Sequence, residues 1–412
     1  MAARDFDFHY DFSCPYAYLA SVQLQRLEAR TGARARYRPF LLGGVFRAHG
    51  VPQNLDSAQP APKVAHIRDD LRRWARLYDV PLVHPEGHPQ RTVEALRTVL
   101  AAPEEAWPQL TDGFFAAYWQ KGQEIASTEA RRRVLVQAGL DAAPILARAE
   151  TDAVKDALRR RTDAAIERGI FGAPAFVVGD QLFWGADRMD QVERALGGEP
   201  ACPYPEVDPR RLAPIDLYFD FSSPFAYLGV QRAKRWLGDA PTLRPMVLGA
   251  VFKSIGGPMV PMFEFSEAKR RYYALDLARQ ASELRVPFSF PTRFPVNSVH
   301  ALRVAVAARL HPALVGRIFT AFWAEDRDIS APPVLAALAS EVGLDGPALV
   351  EQAKTPAVKQ ALFAATERAQ AAGVFGAPTF VVHRPDGERS LYWGGDRMFL
   401  AAQAAAGHTA VQ

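Results

Sequence analysis

The stretch "DFSCPYAY" at residues 11–18 returns as "DFSSPFAY" at residues 220–227, with Cys14 in the first copy and Ser223 in the second. Each follows an alternating apolar run, within "FDFHYDF" at 6–12 and "IDLYFDF" at 215–221, whose period predicts a strand. Pro15 and Pro224 come next, a residue favoured in the first helical turn because it needs no N–H partner there. Apolar residues at helical spacing continue through "PYAYLASVQLQRLEAR" and "PFAYLGVQRAKRWL". A strand, a tight turn and a helix are expected twice, with residue 14 or 223 at the helix N-terminus.

Working outward, the repetition spans the whole chain. "LLGGVF" (41–46) matches "VLGAVF" (247–252), and "AYW" (117–119) matches "AFW" (321–323). "FGAPAFVV" (171–178) matches "FGAPTFVV" (375–382), and "WGADRM" (184–189) matches "WGGDRM" (393–398). The order is kept and the offset drifts only from 204 to 209, which marks duplication of a domain and not a short-period solenoid. Residues 1–196 form copy one, with a helical insert at about 45–165; the Pro- and Gly-rich 197–214 is the linker; residues 215–412 form copy two, with its insert at about 252–370. "ARARYRPFLL" and "TLRPMVL" supply second strands, and hairpins follow the two Gly-Ala-Pro segments. This is an α/β chain of two thioredoxin-like domains, each with an inserted helical subdomain.

Bulk properties narrow the function classes. The 412 residues are 49% hydrophobic, enough for two cores. Lys+Arg 49 against Asp+Glu 45 gives +4, a dispersed surplus that suits small anionic ligands better than a nucleic-acid backbone. The runs Arg131-Arg132-Arg133 and Arg159-Arg160-Arg161 are expected on solvated helix faces. Cys14 and Cys202 alone give no disulfide framework. The start "MAARDFDFHYDF" lacks a signal-peptide pattern and no run is apolar enough to span a membrane, so the expected location is cytoplasmic and no membrane partner is expected. His84 and His88 stand four apart, but Pro85 and Pro89 disfavour the helix that would aim both at a metal; no metal site is expected.

"YFDFSSPFAYL", "VFGAPTFVV", "LYWGGDRM" and "AFWAEDRDIS" resemble the 2-hydroxychromene-2-carboxylate isomerase and kappa-class glutathione transferase family, a DsbA-like branch of the thioredoxin superfamily. The resemblance covers nearly all of both copies, so the chain looks like a fused tandem and an intramolecular pseudo-dimer of a family whose usual member is a dimerising single domain.

The resemblance implies glutathione as cofactor and Ser223, with its counterpart Cys14, at the sulfur. Chemistry supports the position independently. A helix N-terminus favours a thiolate, and a Ser there can donate to a thiolate that is not its own. The plainer role for such a Ser is an N-cap. The same resemblance makes Ala173-Pro174 and Ala377-Pro378 cis bonds whose preceding backbone receives the peptide, with Asp187 and Gly395-Asp396 at the γ-glutamyl end; either Asp alternatively caps the last helix. Lys269, with Lys63 as counterpart, is expected to meet a glutathione carboxylate, and Asn297 lies near the substrate cavity where copy one has Arg91. The family's Gly-Asn pair is replaced by Gly50-Val51 and Gly256-Gly257.

The implied activity is isomerisation of a small aromatic or unsaturated carboxylate in aromatic catabolism, by thiolate addition, bond rotation and elimination. A kappa-type transferase or peroxidase shares the same site. A monothiol oxidoreductase would use Cys14, whose Cys-Pro-Tyr-Ala lacks a resolving Cys at Ala17. Copy one is alternatively a non-catalytic partner, and copy two is the more competent site.

Overall fold

The computed structural model describes residues 5–200 and 206–408; Cys202 lies outside them. The chain forms two compact units. Unit one holds Met1–Ala58, Leu71–Cys202 and Ser266–Tyr272; unit two holds Gln59–Asp70, Pro203–Phe265 and Tyr273–Gln412. Each unit therefore includes a short helical segment that belongs, by sequence, to the other repeat.

In unit one, β1 (Phe6–Tyr10), β2 (Ala35–Pro39), β3 (Ala175–Val178) and β4 (Gln181–Trp184) form a sheet of order β2-β1-β3-β4. β1 runs parallel to β2 and antiparallel to β3, and β3 and β4 make a hairpin. In unit two, β5 (Ile215–Phe219), β6 (Pro241–Pro245), β7 (Thr379–His383) and β8 (Arg389–Trp393) repeat that order as β6-β5-β7-β8. Period-two alternation sends Phe6, Phe8 and Tyr10 into the core, where Phe8 stacks on Phe176 with centroids 5.5 Å apart. Each fully buried ring of this kind contributes about 1.5–3 kcal/mol. Asp7 and His9 are left on the opposite face.

Helices occupy most of the chain between β2 and β3 and between β6 and β7. Trp119 and Trp323 anchor those helical regions to the sheets: each indole N–H donates 2.8 Å to the carbonyl of Phe12 or Phe221. The repeated "AYW" and "AFW" therefore pin the turn that follows each first strand.

Two expectations need correction. The single helix expected after Pro15 is two, Pro15–Ser21 and Leu24–Thr31, whereas Pro224–Leu237 is continuous. Copy two has Gly229 where copy one has Ala20. A Cβ on Gly229 would stand 2.6 Å from Pro378 Cγ, so copy two packs its helix closer than an alanine permits. Nor are the arginine runs simply solvated. Arg131 is buried and pairs with Glu150 at 3.1 Å, and half-buried Arg161 lies over Trp107. Long aliphatic stems let a guanidinium pass beneath a helix surface that sequence pattern marks as polar.

Candidate functional site

A buried carboxylate builds the turn in each unit. Asp11 Oδ1 accepts from Ser13 N–H (3.0 Å), Ser13 Oγ (3.1 Å) and Thr92 Oγ (2.8 Å), while Oδ2 accepts from Leu42 N–H (2.8 Å). In unit two, Asp220 takes Ser222 N–H at 2.9 Å and Leu248 N–H at 2.7 Å, with Ser298 and Ser222 hydroxyls completing the set. Burial raises both carboxyl pKa values, and these donors act against that rise. The end of the first strand, the end of the second and the loop before a later helix thus meet on one side chain. Neither Asp stood out in sequence; the signal available was its repetition inside the opening phrase.

The turn delivers residue 14 or 223 to a helix N-terminus. Ser223 is the N-cap of Pro224–Leu237: its Oγ accepts from Ala226 N–H at 3.1 Å and donates to Ala377 O at 3.1 Å. Capping and a thiol-facing role are compatible at one oxygen, which has two lone pairs and one proton. Cys14 takes the same place before Pro15–Ser21 without a side-chain cap bond, and its Sγ–H donates to Ala173 O at 3.0 Å. Both Ala173-Pro174 and Ala377-Pro378 are cis.

The two positions differ in chemistry. Burial pushes the Cys14 thiol up to about 12, outweighing the Ala17 and Tyr16 N–H groups that pull it down. Desolvation at this position opposes the preference of a helix N-terminus for a thiolate.

Asp396 lies in the turn Gly395–Arg397, which Gly394 enters at φ +106°, a conformation open to glycine. The N-cap of the following helix Met398–Ala405 is Arg397 and not Asp396. Asp396 Oδ1 instead stands 3.3 Å from Arg397 Nη1, and Asp187 and Arg188 repeat this at 3.3 Å. Arg397 also binds Asp70, Nε to Oδ1 at 2.8 Å and Nη2 to Oδ2 at 3.0 Å.

The lysines change places relative to the repeats. Lys63, from copy one by sequence, belongs to unit two and sets its ammonium 5.2 Å from the Trp393 ring centroid; burial lowers its pKa. His66, one turn on, packs on Phe375 and Trp393. Lys269 lies 5.6 Å from Trp184 in unit one, where Tyr272 OH accepts from Trp184 N–H at 2.9 Å. Lys63 therefore shares a unit with Ser223, and Lys269 shares one with Cys14.

A wall beside each turn also differs. In unit two, Phe288, Phe290 and Phe294 surround Trp323 at 6.1, 5.9 and 6.0 Å, and Phe290 remains 40% exposed. In unit one, His84 and His88 stand at the positions of Phe290 and Phe294, 6.4 and 5.0 Å from Trp119. His88 Nδ1 is 2.9 Å from Tyr118 OH. Asn297 is exposed; its Oδ1 accepts from Val299 N–H at 3.1 Å, and its neighbour Ser298 reaches Asp220. Arg91, at the matching place, pairs with Glu94 at 2.7 Å. Among the described residues no helix is long and apolar enough to cross a membrane, and no group of three or more His, Cys, Asp or Glu is arranged to hold a metal.

The DSBA-like thioredoxin domain profile matches residues 6–197 and again 214–406. The 2-hydroxychromene-2-carboxylate isomerase of Pseudomonas sp. (strain C18) is 32% identical over 196 residues, 47% of this chain and 91% of that protein. The protein of the same name from Sphingobium xenophagum is 32% identical over 47% of this chain and 98% of its own length. Human glutathione S-transferase kappa 1 is 29% identical over 46% of this chain and 88% of its own length. With the sheet order, the cis Ala-Pro bonds and the Cys14 and Ser223 turns present in both units, the chain is a tandem member of the DSBA-like thioredoxin family, on its branch of 2-hydroxychromene-2-carboxylate isomerases and kappa-class glutathione transferases.

Proposed function

We propose that the chain is a glutathione-dependent isomerase of 2-hydroxychromene-2-carboxylate type, with the Ser223 site of unit two as its working centre. One observation carries the reading: Ser223 Oγ is held by Ala226 N–H at a helix N-terminus while its proton rests on Ala377 O, beside a cis proline. That hydroxyl is oriented, buried and able to turn its hydrogen bond from Ala377 O to an arriving thiolate sulfur, keeping its proton. The 32% identity to isomerases over nearly their full length supports the reaction class.

The residues of unit two fit the tripeptide. Lys63 offers a desolvated ammonium to a carboxylate, and Asp396 offers a carboxylate to the α-ammonium. The backbone at Ala377-Pro378 and Gly395 offers hydrogen-bonding groups to an extended chain. In unit one Ala173, Pro174, Asp187 and Lys269 form the corresponding set. When bound, glutathione supplies a thiolate that adds reversibly to an unsaturated carbon and frees rotation about the former double bond.

The chain's own residues do the rest. Ser223 and the first free N–H groups of Pro224–Leu237 lower the cost of negative charge on sulfur. Phe290 and Phe294 present ring faces and edges to a flat aromatic acid, and Asn297 stands at the rim of the same loop. Kappa-type conjugation would use the same Ser223, and the human relative supports it as the second reading. Disulfide chemistry at Cys14 is disfavoured by a thiol held at about 12.

Ser223→Ala is expected to lower glutathione-dependent isomerisation of 2-hydroxychromene-2-carboxylate roughly a hundredfold, the loss typical of one donor aimed at developing charge. Full activity in Ser223→Ala, with Cys14→Ala inactive, would move the chemistry to unit one.

A further inference from the structure

On unit one, the sheet face opposite the Phe6–Phe8–Tyr10 core carries Asp7 and His9 from β1 and Arg36 and Arg38 from β2. Arg161 on the helix Asp152–Glu167 and Arg168 at its C-cap close over them, around a cavity of about 390 Å³. None of these six residues belongs to the Cys14 site.

The charge in this cavity is one-sided. Four guanidiniums face one lining carboxylate, since Asp7 Oδ1 accepts from both Arg36 Nε (2.8 Å) and Arg38 Nε (2.9 Å). Arg168 lies 3.9 Å from Asp180, whose side chain is fully exposed. Arg161 is half-buried with its Cζ 4.9 Å from the Trp107 ring centroid; desolvation and the nearby Arg38 both lower its pKa. His9 adds no compensating anion, and burial lowers its pKa to about 4, so it lines the cavity as a neutral imidazole at neutral pH.

The second repeat shows that the fold does not require this arrangement. Thr242, Ala365 and Ala372 stand where copy one has Arg36, Arg161 and Arg168, and Tyr218 replaces His9. Arg244 remains, but Asp216 takes it at 2.8 Å and also takes His383 at 2.8 Å. Copy two keeps a basic face of its own, with Arg368 and Arg389 also acting on Tyr218, but the same sheet and helix pack without arginine at the positions of Arg36, Arg161 and Arg168.

We propose that this cavity binds a compact dianionic oxyanion, phosphate or a phosphate monoester. Guanidinium forks converging from β2 and from the helix Asp152–Glu167 with its C-cap match a tetrahedral acceptor that takes several charge-assisted hydrogen bonds at once. Gathering around one half-open cleft, and not along a stripe, favours a small anion over a nucleic-acid backbone.

The test is calorimetric titration of the full chain with inorganic phosphate and with phenyl phosphate, at constant ionic strength held with chloride. The variant Arg36→Thr/Arg161→Ala/Arg168→Ala gives copy one the residues copy two already tolerates. Saturable one-to-one binding is expected, with Kd raised at least about tenfold in the variant. Tighter phenyl phosphate assigns the site to monoesters, and equal or weaker phenyl phosphate assigns it to the free ion. If the triple variant does not melt cooperatively, Arg36→Thr alone, an exposed side chain, replaces it and is expected to weaken binding several-fold. Absence of saturable heat in the wild type, or an unchanged Kd in a folded variant, overturns the proposal.

Discussion

Asp70 and Arg397 meet through two parallel hydrogen bonds of 2.8 and 3.0 Å, although 327 positions separate them in the chain. Both side chains are almost fully withdrawn from solvent, and Asp396 stands on the other side of the guanidinium. Removing one partner takes the bidentate pair from a charge that stays buried. Asp70→Ala or Arg397→Met is expected to destabilise unit two by about 3–5 kcal/mol, whereas Asp70→Leu with Arg397→Met should recover most of that loss. Urea unfolding of the three variants checks this; equal losses in the single and double variants would show that the pairing is not what matters.

Asp220 is expected to tolerate no amide. In Asp220→Asn one carboxylate oxygen becomes an NH2 group facing donors such as Leu248 N–H and Ser222 N–H. A cost of about 1–3 kcal/mol follows from one unsatisfied buried donor. Because the same turn carries Ser223, turnover should fall with stability. Urea midpoints and isomerase rates measured on one preparation test the link.

Cys14 provides the pH prediction. Its folded pKa is raised from 9.0 to about 12, so the folded state holds the thiol proton more tightly than the unfolded chain does. The resulting stability is fully present below about pH 9 and is lost as pH rises towards 12. In a Cys202→Ser background, alkylation of Cys14 by iodoacetamide should be far slower than that of the denatured chain at pH 8, and should climb with pH past the range where an ordinary thiol levels off. Rapid alkylation of the folded protein at neutral pH would show that the helix N-terminus prevails after all.

The walls beside the two turns should set different preferences. Phe290→His with Phe294→His gives unit two the side chains of His84 and His88. It is expected to raise KM for a flat aromatic carboxylate about tenfold, the loss of one or two ring contacts, with a smaller change in kcat. Steady-state kinetics separates the two constants, and an unchanged KM would remove the Phe wall from the substrate site.

Much of this was legible in sequence because it depends on local chemistry. Alternation before Asp11 and Asp220, Pro at the first helical turn and Gly-Ala-Pro before a strand locate the same turn and the same prolines twice. What was not legible depends on which segments meet in space. The repeat pattern matches Lys63 with Lys269 but is silent on the unit each joins, and nothing in the sequence around Asp70 points to Arg397. Arg131 and Arg161 were misplaced because a helix pattern registers charge but not the reach of a guanidinium under its neighbours. The break after Ser21 was not legible either, although the close approach of Gly229 to Pro378 in copy two rests on a single residue that reads Ala20 in copy one.

In the proposed mechanism Ser223 stabilises a thiolate that is not its own. Its most direct test is the ultraviolet thiolate absorbance of reduced glutathione bound to the full chain, followed against pH in the wild type and in Ser223→Ala. A midpoint at least about one unit below that of free glutathione is expected, restored towards the free value in Ser223→Ala and unaffected by Cys14→Ala. A wild-type midpoint equal to that of free glutathione, or a lowered midpoint that survives Ser223→Ala, would contradict it.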